Sequence, residues 1–213
     1  MILDILRGLR PSFFMIRIID NYLTKSYANF LEDKLASREQ VWFYRDDSTF
    51  TNSTNNKIID GTHPTFSFSF ALCDFQNGMI DSPYTNYVLP FIHQLFDDFN
   101  TSTLLRSRLD MTVYNPDGCR HTPHTDLRVP NLTCIYYVND SDGDTVIYNE
   151  RQTSNDLPEN KEYTIAKSVT PRKNRLLVFD GDMIHTGHSP KKHKNRVLIN
   201  TNISTLSSSC LNK

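Results

Sequence analysis

His124-Thr125-Asp126, with His185 and Arg196 far downstream, is the constellation in this sequence whose residue types and spacing point most clearly to metal chemistry. On an extended segment residues i and i+2 point to the same side, so His124 and Asp126 converge on one ion. Pro123 stiffens their approach. His185 follows an apolar strand (175–179) and a tight Asp180-Gly181-Asp182 turn, a path that returns a ligand to a barrel mouth. Two imidazoles and one carboxylate hold a divalent iron on one face and leave the opposite positions open. Such a centre binds a bidentate co-substrate together with dioxygen, which a closed four-ligand structural site cannot do. Arg196 opens the apolar run Arg196-Val197-Leu198-Ile199. A buried guanidinium there needs an anionic partner, and a dicarboxylic co-substrate supplies one that it can grip in two places. The residues read as those of an oxygen-activating iron enzyme.

The other histidines have plainer readings. His121 and His188 flank the ligand positions as loop or supporting residues, His63 and His193 have no partner at useful spacing, and His93 falls in a helix. For Arg196 the plain alternative is a salt bridge to an internal acid.

These residues must be carried by a scaffold, and the sequence describes one. A first strand is expected over 13–19, then a helix over 23–36 capped by Asp20 and Asn21, with Tyr27, Phe30, Leu31 and Leu35 at helical spacing. Trp42-Phe43-Tyr44 reads as a strand and 46–56 as a polar loop. Alternation over 65–70 predicts a strand with one buried face. A second helix fits 84–99, with Leu89, Ile92, Leu95, Phe96 and Phe99 inward. Short strands then follow over 105–114, 132–138, 145–148, 163–168, 175–179 and 196–203, divided by turns such as Asn115-Pro116-Asp117-Gly118. Many short strands without intervening helices predict a mainly β (α+β) fold, a double-stranded β-helix (jelly roll) with two helices on one outer face. Residues 1–213 read as a single domain, with 1–104 as amino-terminal strands and supporting helices and 105–204 as the catalytic core.

Composition sets the outer limits. The 213 residues carry a formal net charge of -1, so no global basic field draws nucleic acid, and an aromatic content of 11% is too rich for a disordered chain. Cys73, Cys119, Cys134 and Cys210 include no Cys-x-x-Cys pair, which argues for a reducing compartment. Arg17 interrupts the apolar stretch around 13–16, no cleavage signal follows, and no run is long enough to span a bilayer. The expectation is a cytoplasmic protein without nucleic-acid or membrane partners.

From 105 to 203 these blocks resemble, in order, the iron(II)- and 2-oxoglutarate-dependent oxygenases, in particular their prolyl 4-hydroxylase-like branch. Tyr114-Asn115-Pro116-Asp117-Gly118 is similar to the family's approach to the first ligand, and His124-Thr125-Asp126 to its paired ligands. Thr133-Cys134-Ile135-Tyr136-Tyr137-Val138-Asn139, Gly143-Asp144-Thr145, 174–179, His185 and Arg196 match the later blocks. The resemblance implies Fe(II) on His124, Asp126 and His185. It implies 2-oxoglutarate as co-substrate with its distal carboxylate on Arg196, Tyr137 as a hydroxyl donor, Tyr114 lining the pocket, Asn200 facing the same co-substrate, O2, and ascorbate as an added reductant. The implied reaction is hydroxylation of a C–H bond with release of succinate and CO2. Its substrate is a peptide or protein, a peptidyl proline foremost, or a small molecule. Leu198 stands where many relatives carry serine, Asp142-Gly143 replaces a Gly-Gly turn, and Asn202 stands where the alkylation-repair demethylases carry a second arginine. Two rival classes remain: a non-catalytic metal- or sugar-binding jelly-roll module, which needs neither an open position nor Arg196, and a zinc hydrolase on the same ligands, which would ignore 2-oxoglutarate.

Overall fold

The computed structural model describes residues 16–46, 66–74, 78–152 and 163–205. Residues 13–15 of the expected first strand, nearly all of the 46–56 loop, His63 and Cys210 lie outside them. Chain order is β1 (Ile16–Asp20), α1 (Lys25–Leu35), β2 (Phe43–Arg45), β3 (Ser67–Asp74), β4 (Gly78–Met79), α2 (Pro83–Phe99) and β5 (Leu104–Val113). Then come β6 (Asn131–Tyr137), β7 (Thr145–Arg151), β8 (Ile165–Val169), β9 (Arg175–Asp180), β10 (Met183–Gly187) and β11 (Asn195–Ser204). A major sheet runs β1-β9-β6-β11-β5-β3-β2 with β4 on the side of β3, and a minor sheet runs β10-β7-β8. Every pairing is antiparallel. This is the double-stranded β-helix with two helices on one face.

The two-residue period of a strand sorts the major sheet into two environments. Cys134 and Tyr136 of β6, Leu176 and Val178 of β9, and Val197 and Ile199 of β11 pack in one core with Leu31 and Leu35 of α1 and Phe91, Ile92 and Leu95 of α2. Their sequence neighbours Ile135, Tyr137, Leu177, Phe179 and Leu198 face the other way and close on Ile147 and Met183 of the minor sheet. Toward the β5 and β3 end this second interior becomes polar, and there the site lies.

Several local expectations change. The amino-terminal cap of α1 is Thr24, not Asp20 or Asn21, and its side chain makes no capping hydrogen bond. Asp20 instead ends β1 and pairs with Arg175, and Asn21 takes a left-handed turn (φ 54°). In α2 the buried stripe is Thr85, Val88, Phe91, Ile92 and Leu95, so Leu89 is not on the inner line and Phe91 replaces it. Pro90 sits inside this helix. Just beyond it the Tyr27 hydroxyl donates to Tyr87 O (2.7 Å) and accepts from Phe91 N (3.3 Å), spanning two groups that would ordinarily bond to each other. One tyrosine thus repairs the interrupted ladder and docks α1 on α2. In β3 the alternation is real, but Ser67 and Ser69 are the buried residues while Phe66 is exposed and Phe68 and Phe70 are half-buried. Periodicity gives the two faces and leaves open which one turns inward. Among the described residues no helix is long and apolar enough to cross a membrane.

Candidate active site

His124 and His185 are brought together by backbone before side chains are considered. The His124 amide donates to the His185 carbonyl and the His185 amide to the His124 carbonyl, each at 2.9 Å, so the 120–124 segment extends the minor sheet beside β10. Thr125 Oγ1 donates to Gln152 Oε1 (2.6 Å), and Arg151 ties the end of β7 to Asp180 and Asp182 in the turn that leads to β10. His185 is accordingly the third residue of its strand rather than the first.

Each ring is oriented by its Nδ1, which lies 3.0 Å from Thr122 O in His124 and 3.2 Å from Met183 O in His185. With Nδ1–H given to a carbonyl, Nε2 carries the free lone pair. The Nε2 of His124 is 3.8 Å from Asp126 Oδ1 and that of His185 is 3.9 Å from Oδ2. Ligand atoms of all three residues lie within 4.8 Å of one another, and nothing else among the described residues forms such a group. Burial drives both imidazoles toward the neutral form; His185 is pushed down to about 4, with His124 adding to the effect. Burial alone would raise Asp126, but Arg106, His185, His124 and Arg108 outweigh it and hold the group well below the usual carboxylate range. Two neutral imidazoles and one ionised carboxylate are the donor forms that a divalent ion requires. The donor set fits a divalent iron.

Arg196, only 5% exposed, sits in the inner wall. Its Nη2 donates to Thr145 Oγ1 (2.6 Å), which also accepts from the Tyr137 hydroxyl (2.7 Å), and its guanidinium lies 5.7 Å from the Tyr137 ring centroid. It forms no ion pair among the described residues, and its Nε is buried without a hydrogen-bond partner. Burial lowers its pKa against the opposing pull of Tyr137 and Asp110. Room for it is kept by two glycines. A Cβ on Gly187 would stand 3.2 Å from Arg196 Nη1, and one on Gly143 would stand 3.2 Å from its Cδ while striking the His188 carbonyl. The site fits a carboxylate.

The other sequence-selected residues fare differently. Tyr137 is fully buried and reaches Arg196 by way of Thr145. Asn200 lines the cavity, but its Nδ2 lies 3.2 Å from Asp126 Oδ2, so it steadies the ligand carboxylate. Tyr114 is a correction: it is 53% exposed, it is not among the residues that line the cavity, and its amide donates to Lys194 O. The turn after β5 carries it outward. His121 is buried in the wall, Nε2 3.2 Å from Ser189 Oγ, and is pushed down to about 3 by burial and then by Arg196.

Sequence reasoning missed Thr145 as the bridge between Tyr137 and Arg196, although it lies in the Gly143-Asp144-Thr145 turn. It also missed Arg106, whose Nη2 is 2.7 Å from Asp126 Oδ1, and the Arg108–Asp110 pair in the wall. The signal for those three was the odd–even pattern of 104–113, where charged residues alternate with Leu105, Ser107 and Leu109.

Comparison with known proteins agrees with this geometry. Residues 109–204 match the family model of the 2OG-Fe(II) oxygenase superfamily. The superfamily consists of oxidoreductases whose cofactors are Fe(II), 2-oxoglutarate and O2. No curated protein matches in sequence. Among solved structures, an oxidoreductase of the 2OG-Fe(II) oxygenase family from Burkholderia pseudomallei superposes with a TM-score of 0.60 at 9% identity, covering 90% of this chain and 86% of that one. A Trichoplax adhaerens prolyl hydroxylase, solved in complex with a hypoxia inducible factor oxygen degradation domain peptide fragment, gives 0.59 at 14%, covering 93% and 87%. The non-heme alpha ketoglutarate dependent epimerase SnoN from nogalamycin biosynthesis gives 0.58 at 10%, covering 89% and 78%. At such identities the likeness shows the fold.

Proposed function

We propose that the chain is a 2-oxoglutarate-dependent dioxygenase that hydroxylates a C–H bond, with a peptidyl proline as its substrate. The observation that carries the reading is the meeting of His124, Asp126 and His185 within 4.8 Å, in a cavity whose wall also holds Arg196, a buried arginine without an ion pair among the described residues. His124 and His185 hold the metal through Nε2 and Asp126 through a carboxylate oxygen. Arg196 takes the distal carboxylate of 2-oxoglutarate, while Thr145 and Tyr137 fix the angle of its guanidinium. When bound, Fe(II) with 2-oxoglutarate and O2 supplies the oxidising power for hydroxylation, with succinate and CO2 released. Apolar residues of the wall, Ile135 and Leu198, keep the reacting atoms out of bulk water. A proline residue as substrate draws support from the prolyl-hydroxylase-like order of the motifs and from the fold shared with a peptide-binding relative.

Two measurements test this. Anaerobic addition of Fe(II) and then 2-oxoglutarate is expected to give a weak visible charge-transfer band. Succinate release in air is expected to rise when proline-containing peptides are added. Activity that persists with zinc and ignores 2-oxoglutarate would overturn the reading.

A further inference from the structure

The cavity wall carries a second guanidinium besides that of Arg196, and its part in holding Asp126 ionised leaves its terminal nitrogens unused. Arg108 lines the wall together with His124, His185 and Asp110. Its Nε lies 2.6 Å from Asp110 Oδ1, and the two side chains are 14% and 15% exposed. Its terminal nitrogens have no hydrogen-bond partner among the described residues. Stability does not explain the pair, because replacing a buried ion pair by apolar residues of like volume is often neutral or stabilising. Asp110 holds the guanidinium by its Nε edge and leaves Nη1 and Nη2 as a pair of donors with the spacing of a carboxylate.

Register shows that this is not the co-substrate clamp. Arg196 lies opposite Thr112 on β5, whereas Arg108 lies opposite Asn200, which touches Asp126. Four residues along a strand separate the two backbone positions by about 13 Å, so the two side chains enter the cavity from different points of its wall. Charge points the same way. Asp126 matches Arg106 and Asp110 matches Arg108, while Arg196 has no ion pair among the described residues. A divalent cation and a dianionic co-substrate cancel, so the loaded cavity keeps one positive charge.

We propose that Arg108 is a specificity-determining residue that takes a carboxylate of the primary substrate, with Asp110 as the residue that positions it. This rests on the metal and co-substrate reading above. The carboxylate belongs either to the reacting residue itself or to an acidic side chain beside it in a peptide.

The test uses full-length protein loaded with Zn(II) and 2-oxoglutarate, so that no turnover occurs. Calorimetry first gives the Kd for 2-oxoglutarate. Two matched pairs are then titrated: N-acetyl-L-proline against its amide, and acetyl-prolyl-aspartyl amide against acetyl-prolyl-asparaginyl amide. The Arg108 side-chain signal is followed by nitrogen-15 NMR. One acid is expected to bind about ten-fold or more tightly than its neutral match and to move that signal. The first pair reports the substrate's own carboxylate and the second a neighbouring acid. Arg108→Gln is expected to erase the preference and leave the Kd for 2-oxoglutarate unchanged. The double change Arg108→Gln/Asp110→Asn guards against a stranded buried carboxylate. Equal binding of acid and amide in both pairs, or no movement of the Arg108 signal, overturns the proposal. So does weakened 2-oxoglutarate binding in Arg108→Gln, which would assign the residue to the co-substrate. A chain that binds no 2-oxoglutarate fails at the first step and removes the preceding reading, and this one with it.

Discussion

The two faces of β11 do opposite work with alternate residues of one strand. Val197, Ile199 and Ile203 point toward α1 and α2 and are fully buried among apolar side chains. The polar residue on that face, Thr201, is matched by Ser107 at 3.0 Å. On the other face Arg196, Asn200 and Asn202 are also buried, yet Arg196 Nε, Asn200 Oδ1 and Asn202 Oδ1 have no hydrogen-bond partner among the described residues. Buried polar atoms are nearly always satisfied in a folded protein, so a cluster of exceptions marks groups kept for something yet to arrive. The helix-side face is complete in itself; the cavity-side face is complete only with a ligand.

That contrast can be broken from either side. The largest effect is expected from His124→Ala, which removes an Nε2 donor: substrate-linked succinate formation should vanish while circular dichroism and melting stay close to wild type. Next is Phe91→Ala, which empties the helix-side core where the ring lies 5.3 Å from that of Tyr136. It should destabilise the fold by about 3–5 kcal/mol in denaturant titrations. At temperatures where the variant is still folded, it should retain the Fe(II)/2-oxoglutarate band. Arg196→Met should weaken 2-oxoglutarate by about ten- to a hundred-fold, the worth of a charge-assisted contact, and leave binding of the metal alone intact in calorimetry. Thr145→Val, which cuts the bridge to Tyr137, should cost about 1 kcal/mol in the same titration.

The smallest effect lies outside both faces. Asp142 accepts from the amides of Lys191, Lys192 and His193 and from the His193 ring, anchoring the turn before Arg196. Burial acts to raise its pKa, but the His193 ring and those amides prevail and bring it down to about 2. Because the folded value lies below the unfolded one, its stabilisation is present above the ordinary carboxylate value of 3.8 and fades as pH falls toward 2. The melting-temperature gap between wild type and Asp142→Asn should therefore be small at pH 7 and close in strong acid.

What the sequence made legible follows the range of the interactions. His124 and Asp126 announce themselves because two positions along an extended chain share a side, a rule needing no knowledge of the fold. His185 and Arg196 were readable through the order of the surrounding motifs. Arg106 and Arg108 were not, because their meaning depends on β5 lying against β11, a pairing of residues far apart in the chain. Tyr114 misled for the opposite reason: its motif was right, but the backbone turns after Val113 and carries the ring into solvent. Ser67 and Ser69 show a further limit, since only a polar cavity makes it favourable to bury serines and leave phenylalanines half-exposed. In α2, an expectation built on apolar spacing placed Leu89 inward, whereas docking on Tyr27 and Tyr136 turns Phe91 there instead.

A crystal structure of the protein grown anaerobically with Fe(II) and 2-oxoglutarate probes the central claim most directly. The expected result is one iron at about 2.0–2.2 Å from the Nε2 atoms of His124 and His185 and from an Asp126 oxygen, with the distal carboxylate of the co-substrate on Arg196. An iron that leaves His185 unligated, or a co-substrate bound with Arg196 turned to an internal acid, would contradict it.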